Sequence, residues 1–249
     1  MQVIAVKTDI ISPGELSVEA LLDKYLVDVK EGSVVAVTSK IISLCENRIV
    51  PQSYANKEDL IKKYSQYYIP GGTGEYGYHF SIAKKTLVAM AGIDESNGDG
   101  NYVLWPKDLQ NSANTIREYI TKRYKLNKIG VVITDSTLMP LRYGTVGVVL
   151  AYSGFEPLND YRGKPDLFGK EFKVSTSNVA AGLSAAAVLV MGEGTEQTPI
   201  AILSDLPFVK FNPNNPTQAE LEAIFLNRED DVFAPLIDGV NWQKGDNAV

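Results

Sequence analysis

The sequence predicts an α+β fold. Strand-length apolar runs ("SVVAVT", "IGVVITD", "TVGVVLAYS", "PIAILS") are interspersed with helical patterns, and the two kinds of segment do not strictly alternate. A chain of 249 residues with 45% hydrophobic and 22% charged residues can bury a sizeable core, as one large domain or two small ones.

"QVIAVKT" alternates like an opening strand. The chain then turns at Pro13-Gly14 and enters a helix capped by Ser17, with Leu21, Leu22 and Tyr25 at core spacing. A second strand runs from Val34 to Thr38, followed by a short segment carrying Ser39 and Lys40. The tyrosine-rich stretch 56–77, ending in "PGGTGEYG" with its four glycines, reads as a mobile loop. "KTLVAMAG" is a third strand leading into "AGIDESNGDG". "NSANTIREYITKRYKL" is an amphipathic helix burying Ala113, Ile116 and Ile120. "KIGVVITD" is a buried strand with Asp135 at its carboxyl end, and "TVGVVLAYSG" is another strand. "STSNVAAGLSAAAVLVMGEG" is a small-residue helix, capped near Ser177 and stopped by Gly192 and Gly194. A strand at "TPIAILSD" precedes a tail with one helix and irregular chain.

Composition narrows the chemistry. The net charge is −6 with the acids scattered, so no nucleic-acid footprint is expected; divalent metals would compensate an anionic nucleotide. One cysteine, Cys45, and one histidine, His79, exclude an internal disulfide and make a zinc site implausible; both residues are expected to be structural. No run approaches a membrane span and "MQVIAVKTD" lacks signal-peptide features, so a cytoplasmic protein without membrane contact is expected. Carboxylates, hydroxyls, amides, lysines and arginines must do the work.

Several motifs supply such groups, and each has a plainer reading beside the functional one. In "GIDESN", one tight turn can point Asp94 and Asn97 to one side, toward a divalent cation and a nucleotide oxygen; alternatively it is an Asx-turn, with Glu95 and Asp99 as solvated surface. "VVITDSTLMPLRYG" delivers Asp135 and Ser136 from an apolar strand, with Arg142 near enough for an anion; or Asp135 caps the turn and pairs with Arg142. "MGEGTEQTP" sets Glu193 between glycines, suited to phosphate and metal, or is a helix stop and polar turn; it is not a P-loop. Lys40 in "VTSKIIS" meets a phosphate or is ordinary surface. "NDYRGKPDLFGKEFK", with Asp160, Arg162, Lys164, Asp166 and Lys170, is a substrate-facing loop or a solvated hairpin.

Singly these signals are weak, but their order is specific. "AGIDESN … LWPKDLQNSANTIR … GVVITDSTLMPLRYG … SGFEPLNDYRGKPDLFGKEFKV … AAAVLVMGEGTEQTPIAIL" resembles the coenzyme F420-0:L-glutamate ligase (γ-glutamyl ligase) family, from the first strand to about Phe211. The wording "DESNGDGNYVLWPKD" and "LVMGEGTEQTP" is similar to the bacterial branch described as folate-metabolism γ-glutamate ligases. The resemblance implies a two-domain, mixed-sheet α+β subunit: a main α/β domain of residues 1–80 plus 190–249 and a second α+β domain of residues 81–189. It also implies a homodimer with the cleft near the interface.

The implied reaction joins L-glutamate to a small carboxylate acceptor, folate-like or F420-0, using GTP or ATP and two Mg²⁺ or Mn²⁺ ions per site. By resemblance, Asp94 and Asp135 hold one ion, and Ser136 and Glu193 the other. Ser39, Lys40 and Asn97 contact the nucleotide, as do Met191, Gly192, Gly194, Thr195 and Glu196 in the loop 191–198 and Thr8, Asp9, Ile10 and Ile11 in the first turn. Lys40 and Arg142 would stabilise charge on the transferred group. Departures accompany the match. Met139 stands for the family's arginine and Leu141 for its tryptophan, while Leu44 replaces a lysine and Asn47 a glycine. These imply retained phosphoryl chemistry with a changed acceptor or nucleotide preference. A nucleotide- and metal-binding sensor without catalysis is the rival from another class.

Overall fold

The computed structural model describes residues 1–247. Its centre is a five-stranded mixed sheet in the order β1-β12-β2-β8-β9, made of β1 (Gln2–Val6), β12 (Ile200–Ser204), β2 (Ser33–Thr38), β8 (Ile129–Leu138) and β9 (Thr145–Ser153). Only β2 and β8 pair in parallel; every other neighbour in this sheet is antiparallel. This sheet draws strands from both sides of residues 80/81 and 189/190.

Both faces of the sheet are covered, which is why the central strands are apolar at every position and not at alternate ones. Val35, Val37, Val131 and Ile133 point into a core with helices α1 (Val18–Tyr25), α2 (Ser39–Cys45) and α4 (Leu109–Tyr124). Val34, Ala36, Val132 and Leu203 point the other way, against α5 (Val179–Met191). Each fully buried Leu or Ile in these layers contributes about 1.5–3 kcal/mol relative to exposure. The small residues of α5 let it lie close to the sheet. Opposite it, a Cβ on Gly147 of β9 would come within 2.5 Å of the Ser184 carbonyl and 2.7 Å of Val188.

A second, four-stranded sheet lies beside this body: β4 (Tyr67–Tyr68), β5 (Phe80–Ala83), β6 (Thr86–Ala89) and β13 (Gln243–Lys244), in the order β13-β4-β5-β6. Two short antiparallel pairs complete the strands: β3 (Ile49–Pro51) with β7 (Asn101–Val103), and β10 (Leu158–Asp160) with β11 (Thr176–Asn178). Helices α3 (Lys57–Tyr64), α6 (Gln218–Glu222) and α7 (Ala234–Asp238) are peripheral.

Most local expectations hold: Ser17 caps α1 by accepting from Ala20 N–H, and the strands and the long helix fall where apolar spacing puts them. Three do not. The segment after β2 is a helix, because Thr38 caps it and Ile41 and Ile42 find the core. Within 56–77, Asn56 caps α3, whose Leu60 and Ile61 are buried; only the glycine-rich part is a turn. The cap of α5, expected near Ser177, is the adjacent Asn178, whose side chain accepts from the Ala181 N–H. Finally, Asp135 does not end its strand. β8 continues through Leu138, pairing Asp135 with Val148 and Ser136 with Gly147, after a register shift between Ile133 and Thr134.

Candidate active site

A cleft of about 900 Å³ opens where the ends of β2, β8 and α5 meet the turn after β6. Four segments build it. The first is "GIDESN". The short helical turn Met90–Gly92 leads to Asp94, whose backbone exchanges both hydrogen bonds with Val103, 3.0 and 2.7 Å long. The Asx-turn expected from sequence is present: Asp94 Oδ1 accepts from the Ser96 N–H and hydroxyl, both at 2.8 Å. Its other oxygen, Oδ2, lies 2.6 Å from Lys40 Nζ. Burial pushes the Asp94 carboxyl up, but the Lys40 ammonium and the Ser96 hydrogen bonds outweigh it and hold the pKa below the ordinary value.

The second segment is β8. Asp135 Oδ1 accepts from the Ser136 N–H at 2.9 Å, and Oδ2 accepts from the Trp105 indole N–H. Burial dominates here and pushes its pKa up to about 6; the indole and Ser136 donors oppose it, and the nearby Asp94 charge adds to it. The Ser136 hydroxyl donates to Glu193 Oε1 at 2.7 Å, which joins β8 to the third segment, the loop after α5.

That loop is closed on itself and on its neighbours. Gly194 N–H donates to Glu196 Oε2 at 2.8 Å, and the Thr198 hydroxyl donates to the Met191 carbonyl. The Asn97 side-chain amide reaches across to the Gly194 carbonyl at 3.0 Å, so the two loops that face each other over the cleft are tied. The fourth segment is the turn after β1. Thr8 N–H donates to the Gln197 carbonyl at 2.8 Å and Lys7 Nζ to the Glu196 carbonyl at 2.6 Å.

The residues singled out from sequence are thus distributed as follows. Thr8, Asp9, Ile10 and Ile11, Lys40, Asp94 and Asn97, Asp135 and Ser136, and Met191 through Glu196 all line the one cleft. The Asp9 carboxylate is committed to α1, receiving the Tyr25 hydroxyl at 2.8 Å and pairing with Lys24 at 3.0 Å. Ser39 is buried beneath the cleft and its carbonyl accepts from the Ser43 hydroxyl. Arg142 sits outside the cleft lining, on the exposed β8–β9 turn, with its guanidinium returned to the Leu141 carbonyl. The cluster in "NDYRGKPDLFGKEFK" is a solvated hairpin loop: Arg162 pairs with Asp160 at 2.7 Å and holds that carboxyl at about 2, while Asp166 caps the Phe168 and Lys170 N–H groups. The Cys45 thiol is pushed up to about 11 by burial, in line with a structural role.

Sequence reasoning missed two contributors. Ser96 supplies both donors to Asp94 Oδ1 and two of the three acceptors around Lys40, and Trp105 binds Asp135. Ser96 was within reach of a turn argument, since serine two residues after aspartate suits an Asx-turn. Trp105 was not, because nothing local links it to an acid on another strand.

Fold and cleft together define a mixed-sheet α+β protein whose site is furnished with carboxylates, a hydroxyl, a lysine and a glycine-rich loop. The family model described as F420-0:Gamma-glutamyl ligase matches residues 5–205. The curated relatives include the coenzyme F420:L-glutamate ligases of Methanococcus maripaludis (strain S2; 33% identical, covering 94% of this chain and 97% of the relative) and Methanocaldococcus jannaschii (29%; 91% and 97%). The enzyme of the same name from Methanothermobacter thermautotrophicus is 33% identical over 76% of this chain and 78% of its own. The chain belongs to the F420-0:γ-glutamyl ligase family, and is an amide-bond-forming ligase. Among the described residues, no helix is long and apolar enough to cross a membrane.

Proposed function

We propose that the protein is a nucleotide- and divalent-metal-dependent γ-glutamyl ligase that adds L-glutamate to a small carboxylate acceptor through an acyl phosphate. The observation that carries this is the meeting of Asp94, Asp135 and Glu193, from three distant segments, in one cleft with Lys40 and the loop 191–197.

The donor chemistry suits a hard cation, although among the described residues no three carboxylates stand together as a ready-made site. All the candidate ligands, Asp94, Asp135, Ser136 and Glu193, offer oxygen. The Asp94 charge also helps to raise the Asp135 pKa, a like-charge conflict that a bound divalent ion would relieve. Mg²⁺ or Mn²⁺, two per site, would neutralise the triphosphate and orient its terminal phosphoryl group.

The chain's own groups do the rest. Backbone N–H groups of the loop 191–197 and the amide of Asn97 bind phosphate and nucleotide oxygens. Lys40 bears a positive charge beside the carboxylates, suited to charge developing on the transferred phosphoryl group. The acceptor carboxylate oxygen attacks the terminal phosphorus of ATP or GTP and the nucleoside diphosphate leaves. The glutamate amine then attacks the acyl carbon, phosphate departs, and the amine proton passes to solvent or a carboxylate. No side chain becomes covalently modified. Arg142, on the exposed turn, acts only if that turn folds over the bound acceptor.

The acceptor is read as folate-like, because Met139 and Leu141 replace a cationic and an aromatic contact of the family pattern and stand exposed at the rim. F420-0 is the second reading, favoured by the names of the relatives. The reading includes a homodimer in the cytoplasm. It is tested by nucleoside diphosphate release and by mass spectrometry of glutamylated products with each acceptor. Release that requires both glutamate and an acceptor, and that Asp135→Asn abolishes in a folded protein, is the expected result. Nucleotide binding without turnover on any acceptor would make the protein a sensor instead.

A further inference from the structure

We infer that Trp105 is a positioning residue that fixes how Asp94 and Asp135 face each other, an inference that rests on the reading of both as cation ligands. Trp105 is 7% exposed, and its indole is held on two sides. Its N–H donates to Asp135 Oδ2. Its ring edge lies on Gly92, two residues before Asp94: a Cβ there would be 2.0 Å from Cε2 and 2.4 Å from Nε1. Gly92 also has φ +71°, so both its backbone and its missing side chain are required where the indole approaches.

The backbone that carries the indole is itself anchored. Asp94 and Val103 exchange two backbone hydrogen bonds, Leu104 N–H donates to the Arg48 carbonyl at 3.0 Å, and Arg48 Nε donates to the Trp105 carbonyl at 3.3 Å. One rigid aromatic plane therefore abuts the Asp94 turn and grips the Asp135 carboxylate. The indole occupies one lone pair of Oδ2 and the Ser136 N–H one of Oδ1, which leaves one on each oxygen for a cation. Partners of this kind fix ligand orientation, and their loss typically costs about 10–100-fold in metal affinity.

The alternative is that Trp105 only fills space. The two roles separate if the N–H is removed while the shape is kept. Trp242 is the other of the chain's two tryptophans, and Trp242→Phe gives a reference protein in which Trp105 is the sole tryptophan. In it, Mn²⁺ binding is followed by electron paramagnetic resonance and by quenching of Trp105 emission, with Asp135→Asn as the control. Replacing Trp105 in that background by benzothienylalanine, in which sulfur stands for the N–H, is expected to weaken Mn²⁺ binding about tenfold or more at an unchanged melting temperature. Trp105→Phe is expected to weaken it at least as much.

Mn²⁺ affinity within about twofold of the reference in the benzothienylalanine protein, while Asp135→Asn has lost binding, overturns the positioning role and leaves the ligand assignment standing. If the reference does not bind Mn²⁺, or Asp135→Asn binds it equally well, the ligand assignment fails and this inference fails with it.

Discussion

The Lys40 ammonium lies 2.6 Å from Asp94 Oδ2 and donates to both the carbonyl and the hydroxyl of Ser96 at 3.1 Å. With Oδ1 engaged twice by Ser96 and Oδ2 by Lys40, three of the roughly four lone-pair sites of the Asp94 carboxylate are taken by the protein itself. A cation approaching Asp94 competes with a lysine, and a nucleotide phosphate competes with Asp94 for that lysine.

Opposite effects on binding and turnover follow for Lys40→Met. Removing a half-buried ion pair worth ~1 kcal/mol is expected to tighten Mn²⁺ binding about fivefold without nucleotide, measured calorimetrically. Turnover should fall about 100-fold or more as phosphoryl charge loses its partner. Weaker Mn²⁺ binding in this variant would contradict competition at Asp94.

Asp135 gives a pH dependence. Its pKa of about 6 lies above the ordinary 3.8, so the folded protein holds this proton more tightly than the unfolded chain does. The stability it contributes is present below about pH 4 and lost as pH rises through about 6. Cation binding runs the other way, strengthening as pH rises through about 6 because the proton must leave first. Calorimetry in buffers of different ionisation enthalpy should show a proton released at pH 5 that is absent at pH 7.5 and absent from Asp135→Asn.

The bond from the Asn97 amide to the Gly194 carbonyl ties two loops across the cleft. Asn97 has φ +53°, so Asn97→Gly keeps the backbone and deletes only the amide. One such bond is worth about 1 kcal/mol, and the nucleotide KM is expected to rise about fivefold, with faster hydrogen exchange in residues 192–197. Unchanged exchange there would dissociate the tie from the loop's order.

Met139 is 51% and Leu141 95% exposed on the β8–β9 turn. Met139→Arg is therefore expected to change stability by less than about 0.5 kcal/mol. If acceptor choice lies in this turn, the same change should raise kcat/KM for an anionic phosphodiester acceptor relative to folate by about tenfold, read in a competition assay. No change in that ratio would place acceptor selection elsewhere.

Expectation from sequence holds where side chains report their own surroundings. The doubly covered strands announce themselves as unbroken apolar runs, Ser17 as a cap, and the acids in "GIDESN" and "TDS" as candidates for one site. It fails where the deciding partner is remote. α3 is mostly charged, with three lysines and two acids, and stands because Leu60 and Ile61 meet a distant core, which no periodicity in eight residues could establish. Asp135 looked like a strand end because polar residues follow it, yet pairing with β9 carries the strand onward. Trp105 reads as core from its neighbours, and its bond to Asp135 spans 30 residues.

The register shift between Ile133 and Thr134 divides β8 into two parts with different freedoms. Up to the shift the strand is locked between two packed layers, and just past it Asp135 and Ser136 are fastened to Trp105 and Glu193. Beyond Leu138 the hairpin tip touches neither core. Substitutions in the tip can therefore accumulate without loosening the way β8 presents Asp135 and Ser136 to the cleft.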